Sequence, residues 1–208
     1  MLRFSLLLLA VFSAGANAQK PWKDSPHGPM LERIIPPGFA PAVLPEPRSR
    51  GAQLTQRYCT QCHNLANPAM HDAARWPAAI ERMVPRMEGK GNMGTLMAEM
   101  MAGVKAPNEA DTGAIIEYLR RHGQTPLDPA RYPEVNRPSG EAFRLACNQC
   151  HVLPDPQRHT AQEWRAVVAR MQENMEWMNR VVGSKPLPGE PQLAVEEINA
   201  FLAKYARR

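Results

Sequence analysis

Apolar side chains recur at helical spacing in this chain. Trp164, Val168, Met171, Met175 and Met178 follow one another at intervals of three or four residues, which places them on one face of an α-helix. Because each half of the chain is predicted to contain a short first helix, a middle helix and a closing helix, we predict a mainly α-helical fold.

The start of this helix is also marked in the sequence. Thr160 and Glu163 have the spacing of a capping box, in which each side chain bonds a backbone N–H of the other residue. Asp72 is predicted to cap a similar helix earlier in the chain. A hydrophobic staple is predicted beside each cap, formed by His71 with Trp76 and by His159 with Trp164.

The chain repeats itself around two copies of Cys-x-x-Cys-His. Each copy is preceded by a short segment containing a glycine and is followed, farther on, by a segment with an isoleucine, an aromatic residue and a leucine. Counted from the motif histidine, the matching pairs are Leu65 and Leu153, Pro68 and Pro156, His71 and His159, Trp76 and Trp164, Arg82 and Arg170, Met83 and Met171, and Met87 and Met175. The chain is therefore predicted to be a duplicated helical unit.

Prolines divide the two repeats. Many of the 21 prolines fall in two stretches. The first, from Pro21 to Pro47, has little helical period and is expected to run extended over the surface, and the second, from Gly123 to Ser139, marks the domain boundary. We predict a proline-rich extended lead at 19–47, a first domain at 48–122, a linker at 123–137 and a second domain at 138–208. The lead could also cover part of the site around the first Cys-x-x-Cys-His motif.

Each Cys-x-x-Cys-His segment has the spacing of a c-type haem attachment site. Two thiols three residues apart can add to the two vinyl groups of one porphyrin, and the next histidine can then bind the iron. The thioether residues would be Cys59, Cys62, Cys147 and Cys150, and the proximal iron ligands would be His63 and His151. A redox dithiol or half of a zinc site would not explain a histidine after both pairs. We therefore predict two covalently bound haem c groups.

The N-terminal residues have the pattern of a secretory signal. Arg3 is followed by a short apolar run from Leu6 to Phe12 and by small residues before Gln19. We predict a signal peptide at 1–18, cleaved near Ala18, and export to the periplasm, where bacterial c-type haem is attached. No later segment is apolar for long enough to predict a membrane span.

The charge of the chain does not indicate nucleic-acid binding. The chain has 25 basic and 20 acidic residues, a formal net charge of +5, and it has no basic block of the kind that binds nucleic acid. Four haem propionates would bring the protein close to neutrality. Strong electrostatic docking to one highly charged partner is therefore not expected.

The paired motifs, the glycine-containing segment before each motif and the closing segment with its aromatic residue resemble class I cytochrome c domains. Two such domains in one exported chain resemble the two-domain dihaem cytochromes c. The resemblance implies two tandem helical domains, each around a covalent haem, and covers about residues 48–122 and 138–206. It also implies that a glycine in each opening helix meets the closing aromatic residue: Gly51 with Tyr118, and Gly140 with Phe201.

The second axial ligand of each iron remains open between several methionines. Met87 and Met175 occupy equivalent places late in the middle helices and are our first candidates. Met93 and Met178 are the alternatives, because Met93 follows two glycines in a loop similar to the ligand loop of the family. A row of methionines on a helix is also an ordinary core pattern, so packing is the competing interpretation for each of them.

Histidine is the other candidate ligand. His71 and His159 lie only eight residues after the proximal histidines, and their staple positions explain them without a metal. Arg82 and Arg170, which also match in the repeats, are candidates for contacts with haem propionates.

The leading functional prediction is single-electron transfer between redox partner proteins, with the haem potentials set by ligands and surroundings. The alternatives are a peroxidase-like enzyme or small-molecule sensor with one open haem site, and a cytochrome subunit of a dehydrogenase or oxidase. Because the segments after the two middle helices differ, the two haems are expected to titrate at different potentials.

Overall fold

The computed structural model describes residues 20–91, 94–183 and 193–208. These residues form eight α-helices and no β-strand, which confirms the prediction of a mainly α-helical fold. The helices are α1 (Gly28–Ile34), α2 (Arg50–Cys59), α3 (Trp76–Met87), α4 (Thr95–Met101), α5 (Glu109–Arg121), α6 (Pro138–Cys147), α7 (Ala161–Val182) and α8 (Val195–Tyr205). The predicted signal peptide lies outside the described residues.

The first core cluster lies where α2 packs on α5, with α3 beside α5. The helices can approach because α2 has a glycine at the crossing: a Cβ added to Gly51 would lie 2.8 Å from Cγ of Tyr118. The Tyr118 hydroxyl donates a hydrogen bond of 2.7 Å to the carbonyl of Pro45, which holds the ring in place. The predicted Gly51–Tyr118 contact is confirmed.

The second core cluster lies where α6 and α7 pack on α8. Here the prediction for Gly140 is wrong about the closest approach: the three atoms nearest to a Cβ at this position belong to Glu134 and Val135, with Cα of Val135 at 2.6 Å, and not to Phe201. The ring of Phe143 stacks on Phe201 instead, with ring centroids 4.9 Å apart. Counted from the motif histidine, Ser139 matches Gly51, and a helix turns about 100° per residue, so a one-residue offset points Gly140 elsewhere.

The lead differs from its predicted extended course. Gly28-Pro29 opens α1, consistent with the preference of proline for the first turn of a helix. Trp22 and Leu31 are only 1% and 0% exposed and form a third small cluster, against which Leu96 and Met100 of α4 pack. Burial of these apolar side chains therefore folds the segment onto the rest of the chain. Proline content alone does not predict such burial.

The two middle helices, α3 and α7, begin differently. The predicted capping box of α7 is present: the Thr160 hydroxyl accepts from the Glu163 N–H, and the Glu163 carboxylate accepts from the Thr160 N–H. The first middle helix, α3, begins only at Trp76, and the Asp72 carboxylate accepts from the N–H groups of Ala74 and Arg75, in the turn before the helix.

Asp111 connects α5 to α2, and its contact should give a measurable pH dependence. Its carboxylate accepts hydrogen bonds from Arg50 at 2.9 Å and from the Tyr58 hydroxyl at 3.0 Å. The Arg50 hydrogen bond, followed by the one from Tyr58, holds the pKa of this carboxyl below its ordinary value of 3.8. The resulting stabilisation is therefore complete above that pH and is lost as the pH falls through the folded-state pKa.

We expect Asp111→Asn to lower the melting temperature at pH 7 and the difference from the native protein to shrink below about pH 4. The measurement is thermal unfolding followed by circular dichroism between pH 7 and pH 3. Glu109→Gln, an exposed change in the same turn of α5, is the control. A difference that stays constant across this pH range would contradict the assignment.

Candidate functional site

The two Cys-x-x-Cys-His motifs occupy the same structural position. Cys59 is the last residue of α2 and Cys147 is the last residue of α6, and each motif continues in the turn that follows. The N–H of the next residue still bonds back to the helix, Thr60 to Gln56 at 3.4 Å and Asn148 to Arg144 at 3.3 Å. Each helix end therefore presents two thiols and a histidine on one short turn.

None of the four cysteines forms a disulfide, although each pair has the spacing of a redox dithiol. Burial raises the pKa of Cys59 to about 12, that of Cys62 to about 11 and that of Cys147 to about 12. Reactive cysteines of redox enzymes have a lowered pKa in electropositive surroundings. These three thiols are held neutral against apolar side chains, which does not fit a redox dithiol.

Both motif histidines have one ring nitrogen directed at the carbonyl of the next residue. Nδ1 of His63 lies 2.7 Å from the carbonyl oxygen of Asn64, and Nδ1 of His151 lies 2.9 Å from that of Val152. A hydrogen on Nδ1 that is donated to the carbonyl leaves the lone pair on Nε2. This is the tautomer that a histidine needs when it binds a metal through Nε2.

The lead and α4 cover the first motif. The Trp22 indole donates a hydrogen bond of 2.8 Å to the carbonyl of Cys62, and the Met101 sulfur lies 3.9 Å from the Cys62 sulfur. The side chain of Gln61 exchanges two hydrogen bonds with the backbone of Lys105. At the second motif, by contrast, Cys150 is exposed.

The methionine candidates lie in different surroundings. Met87 is half-buried and packs against the first core cluster, which Cys59 also borders. Met175 and Met178 are half-buried on α7, whereas Met83 is 38% exposed. Met93, the alternative in the first repeat, lies outside the described residues. Burial thus keeps Met87, Met175 and Met178 as candidates and makes Met83 less suitable.

His71 and His159 make the contacts predicted for staple residues. Their rings lie edge-on to those of Trp76 and Trp164, with centroids 4.9 and 4.8 Å apart. Burial is the main cause that lowers the pKa of His71 and that of His159, so the neutral ring is favoured in both. Packing on the indole therefore accounts for both histidines without a metal. Nδ1 of His71 is nevertheless buried without a hydrogen-bond partner in the described part of the chain.

The two matched arginines are not equivalent. Arg82 is exposed, whereas Arg170 is half-buried on α7, and burial lowers its pKa. Among the described residues, neither arginine forms an ion pair with a carboxylate. Trp177, seven residues after Arg170 and so on the same side of the helix, has a buried indole N–H without a partner. These two donors could hold an anionic group on this side of α7.

The residues around the motifs do not fit a shared zinc site. In residues 20–91, 94–183 and 193–208, no three side chains of His, Cys, Asp or Glu converge on a point that could hold a metal ion. A structural zinc site requires four such ligands around one metal. In the same residues, no helix combines the length and apolar character needed to cross a bilayer.

Comparison with protein-family models, characterised proteins and solved structures found no match to this chain. Its function must therefore be inferred from the motifs and their surroundings.

Sequence reasoning missed three residues, two of which contact the motifs. Trp22 covers Cys62 from a segment predicted to be extended, Trp177 offers an unpaired donor on α7, and Gln124 reaches the second motif from the linker. A lone tryptophan in a proline-rich segment was the only signal for Trp22. Nothing in the sequence pattern marked Gln124, because its contacts are to residues far along the chain.

Proposed function

We propose that the protein is a dihaem c-type cytochrome that carries single electrons between redox partner proteins. The observation that carries the proposal is the duplicated Cys-x-x-Cys-His turn in which both histidines direct Nδ1 to the next carbonyl. Cys59 and Cys62 would hold one haem with His63 as the proximal ligand. Cys147, Cys150 and His151 would do the same for the second haem.

The haems would supply the reversible one-electron chemistry, and the chain would hold and tune them. The neutral thiols of Cys59, Cys62 and Cys147 suit thioether attachment, because a thioether sulfur carries no charge. Arg170 and Trp177 are donors suited to a haem propionate: the half-buried Arg170 has no carboxylate partner in the described residues, and the Trp177 indole N–H is buried there without a hydrogen-bond partner. Arg82, which is exposed, is the weaker candidate for such a contact.

The proposal includes two tandem cytochrome c-like domains and a location in the periplasm. Two separate core clusters, one around α2 and α5 and one around α6 and α8, support the duplication. The signal-like N-terminal sequence supports export. The covered first motif and the more exposed second motif support two haems that differ in potential, since solvent exposure is one of the factors that set haem potentials.

Near-infrared magnetic circular dichroism of the ferric protein tests this proposal, because the spectrum identifies the axial ligands of each low-spin haem. We expect histidine–methionine coordination at both haems. Met87→Ala and Met175→Ala should then each convert one haem to a high-spin or differently ligated form, with Met93→Ala and Met178→Ala as the alternatives.

Other spectra would support other functions. Bis-histidine signals would make His71 and His159 ligands. A high-spin haem in the unaltered protein would support a peroxidase-like enzyme or a sensor of small molecules, and turnover of peroxide would be measured next. A purified protein without covalent haem would refute the proposal.

A further inference from the structure

Gln124 joins the two repeats through its backbone and its side chain. Its backbone N–H donates a hydrogen bond of 2.9 Å to the carbonyl of His71, in the first repeat. The same contact ends the second repeat, where the N–H of Arg207 donates to the carbonyl of His159 at 2.9 Å. The backbone of Gln124 therefore completes the first repeat, while its side chain, at 9% exposure for the residue, reaches into the second.

The side-chain amide of Gln124 meets the second motif at its histidine. Nε2 of Gln124 donates a hydrogen bond to the carbonyl of Val152 and lies 3.2 Å from Nδ1 of His151. The same carbonyl lies 2.9 Å from Nδ1 of His151. A carbonyl oxygen has two lone pairs, so Val152 can accept from the histidine and from the glutamine together.

At the first motif, no second donor to the corresponding carbonyl is found among the described residues. The residue that matches Gln124, 27 positions before the motif histidine, is Pro36, whose side chain has no N–H. The carbonyl of Pro36 accepts from the Asn64 side chain at 2.9 Å, and the carbonyl of Asn64 accepts from Nδ1 of His63 at 2.7 Å. The histidine–carbonyl distance is thus shorter in the motif that has no competing amide.

We infer that Gln124 is a positioning residue for His151 and tunes the electron donation of this ligand to the second haem iron, an inference that rests on the proposed function. A strong hydrogen bond from Nδ1 makes a ligating histidine a better electron donor and favours the ferric iron. The Gln124 amide shares the acceptor of that bond and weakens it. The result is a higher potential for the second haem than its own ligands would set.

The test is a spectroelectrochemical titration of the full-length holoprotein and of two variants. Gln124→Met keeps the side-chain length and removes the N–H donor. We expect it to change the equilibrium constant for reduction of the second haem about three- to tenfold toward the ferric form, a fall in potential of roughly 30 to 60 mV. Gln124→Glu, which can accept from His151 but cannot donate when ionised, should lower this potential further.

Gln157→Met is the matched control, because Gln157 is an exposed glutamine in the same repeat, and it should leave both potentials unchanged. In Gln124→Met and Gln124→Glu, only one of the two haem potentials should change. Unchanged potentials in both variants, or movement of the first haem alone, would overturn the inference, as would loss of the second haem from both. These outcomes differ from failure of the proposed function, in which the unaltered protein would contain no covalent haem.

Discussion

A protein in which Cys147 and Cys150 are both replaced by alanine is expected to carry one covalently bound haem, and the unaltered protein is expected to carry two. The two thiols are the only groups of the second motif that can form thioether bonds, and the two remaining cysteines of the chain, Cys59 and Cys62, belong to the first motif. Histidine ligation by His151 alone would leave any second haem removable by acid and organic solvent. Intact mass spectrometry after such extraction counts the haems directly.

The control for this experiment alters the same turn without touching a thiol. Asn148→Ala combined with Gln149→Ala changes the two residues between the cysteines and should retain both haems. The corresponding double substitution in the first repeat, Cys59→Ala with Cys62→Ala, should also give a protein with one covalently bound haem. If the mass of the unaltered protein includes no haem, or if a double alanine variant retains both haems, the motifs do not attach haem.

Gly51→Ala is expected to lower the free energy of unfolding by about 2 kcal/mol, within the range for overpacking a core. The added Cβ would lie 2.8 Å from Cγ of Tyr118, closer than van der Waals contact allows. The ring cannot move away freely, because its hydroxyl is bonded to the carbonyl of Pro45. Denaturant unfolding of the holoprotein, followed by circular dichroism, provides the measurement.

Gly113→Ala is the matched control for this change. Gly113 lies in the interior of α5, is exposed, and has nothing within 4 Å of an added Cβ. Alanine is favoured over glycine in a helix by about 1 kcal/mol, so this variant should be more stable than the unaltered protein. Equal effects of the two substitutions would mean that α2 and α5 do not cross closely at Gly51.

Elements specified by local spacing were predicted well. The capping box of α7, the helical course of the chain after Trp164 and the contacts of each staple histidine with its tryptophan depend on residues within one or two turns. Such patterns are visible in a sequence because their partners are only three to five residues apart. The two thiols and the histidine of each motif also lie within five consecutive residues, and haem binding by these residues stays a prediction.

Predictions that depended on the angular position of a residue around its helix, or on a partner far away in the sequence, were less accurate. The resemblance placed Gly140 against Phe201, although the offset of one residue from the position of Gly51 turns it toward Val135. Asp72 was predicted to cap α3, which instead begins later, at Trp76. Proline content suggested an extended lead, whereas the burial of Trp22 and Leu31 gives it a helix and a small core.

The amino-acid sequence alone was sufficient to predict a duplicated, mainly helical chain with two candidate haem sites, because the motif and the repeat are local or periodic features. Only the tertiary structure revealed how the two sites differ. Trp22 reaches Cys62 across 40 residues, and Gln124 reaches His151 across 27. Such contacts depend on how the whole chain folds back on itself, so no spacing in the sequence predicts them. They nevertheless decide which groups surround the histidine of each motif.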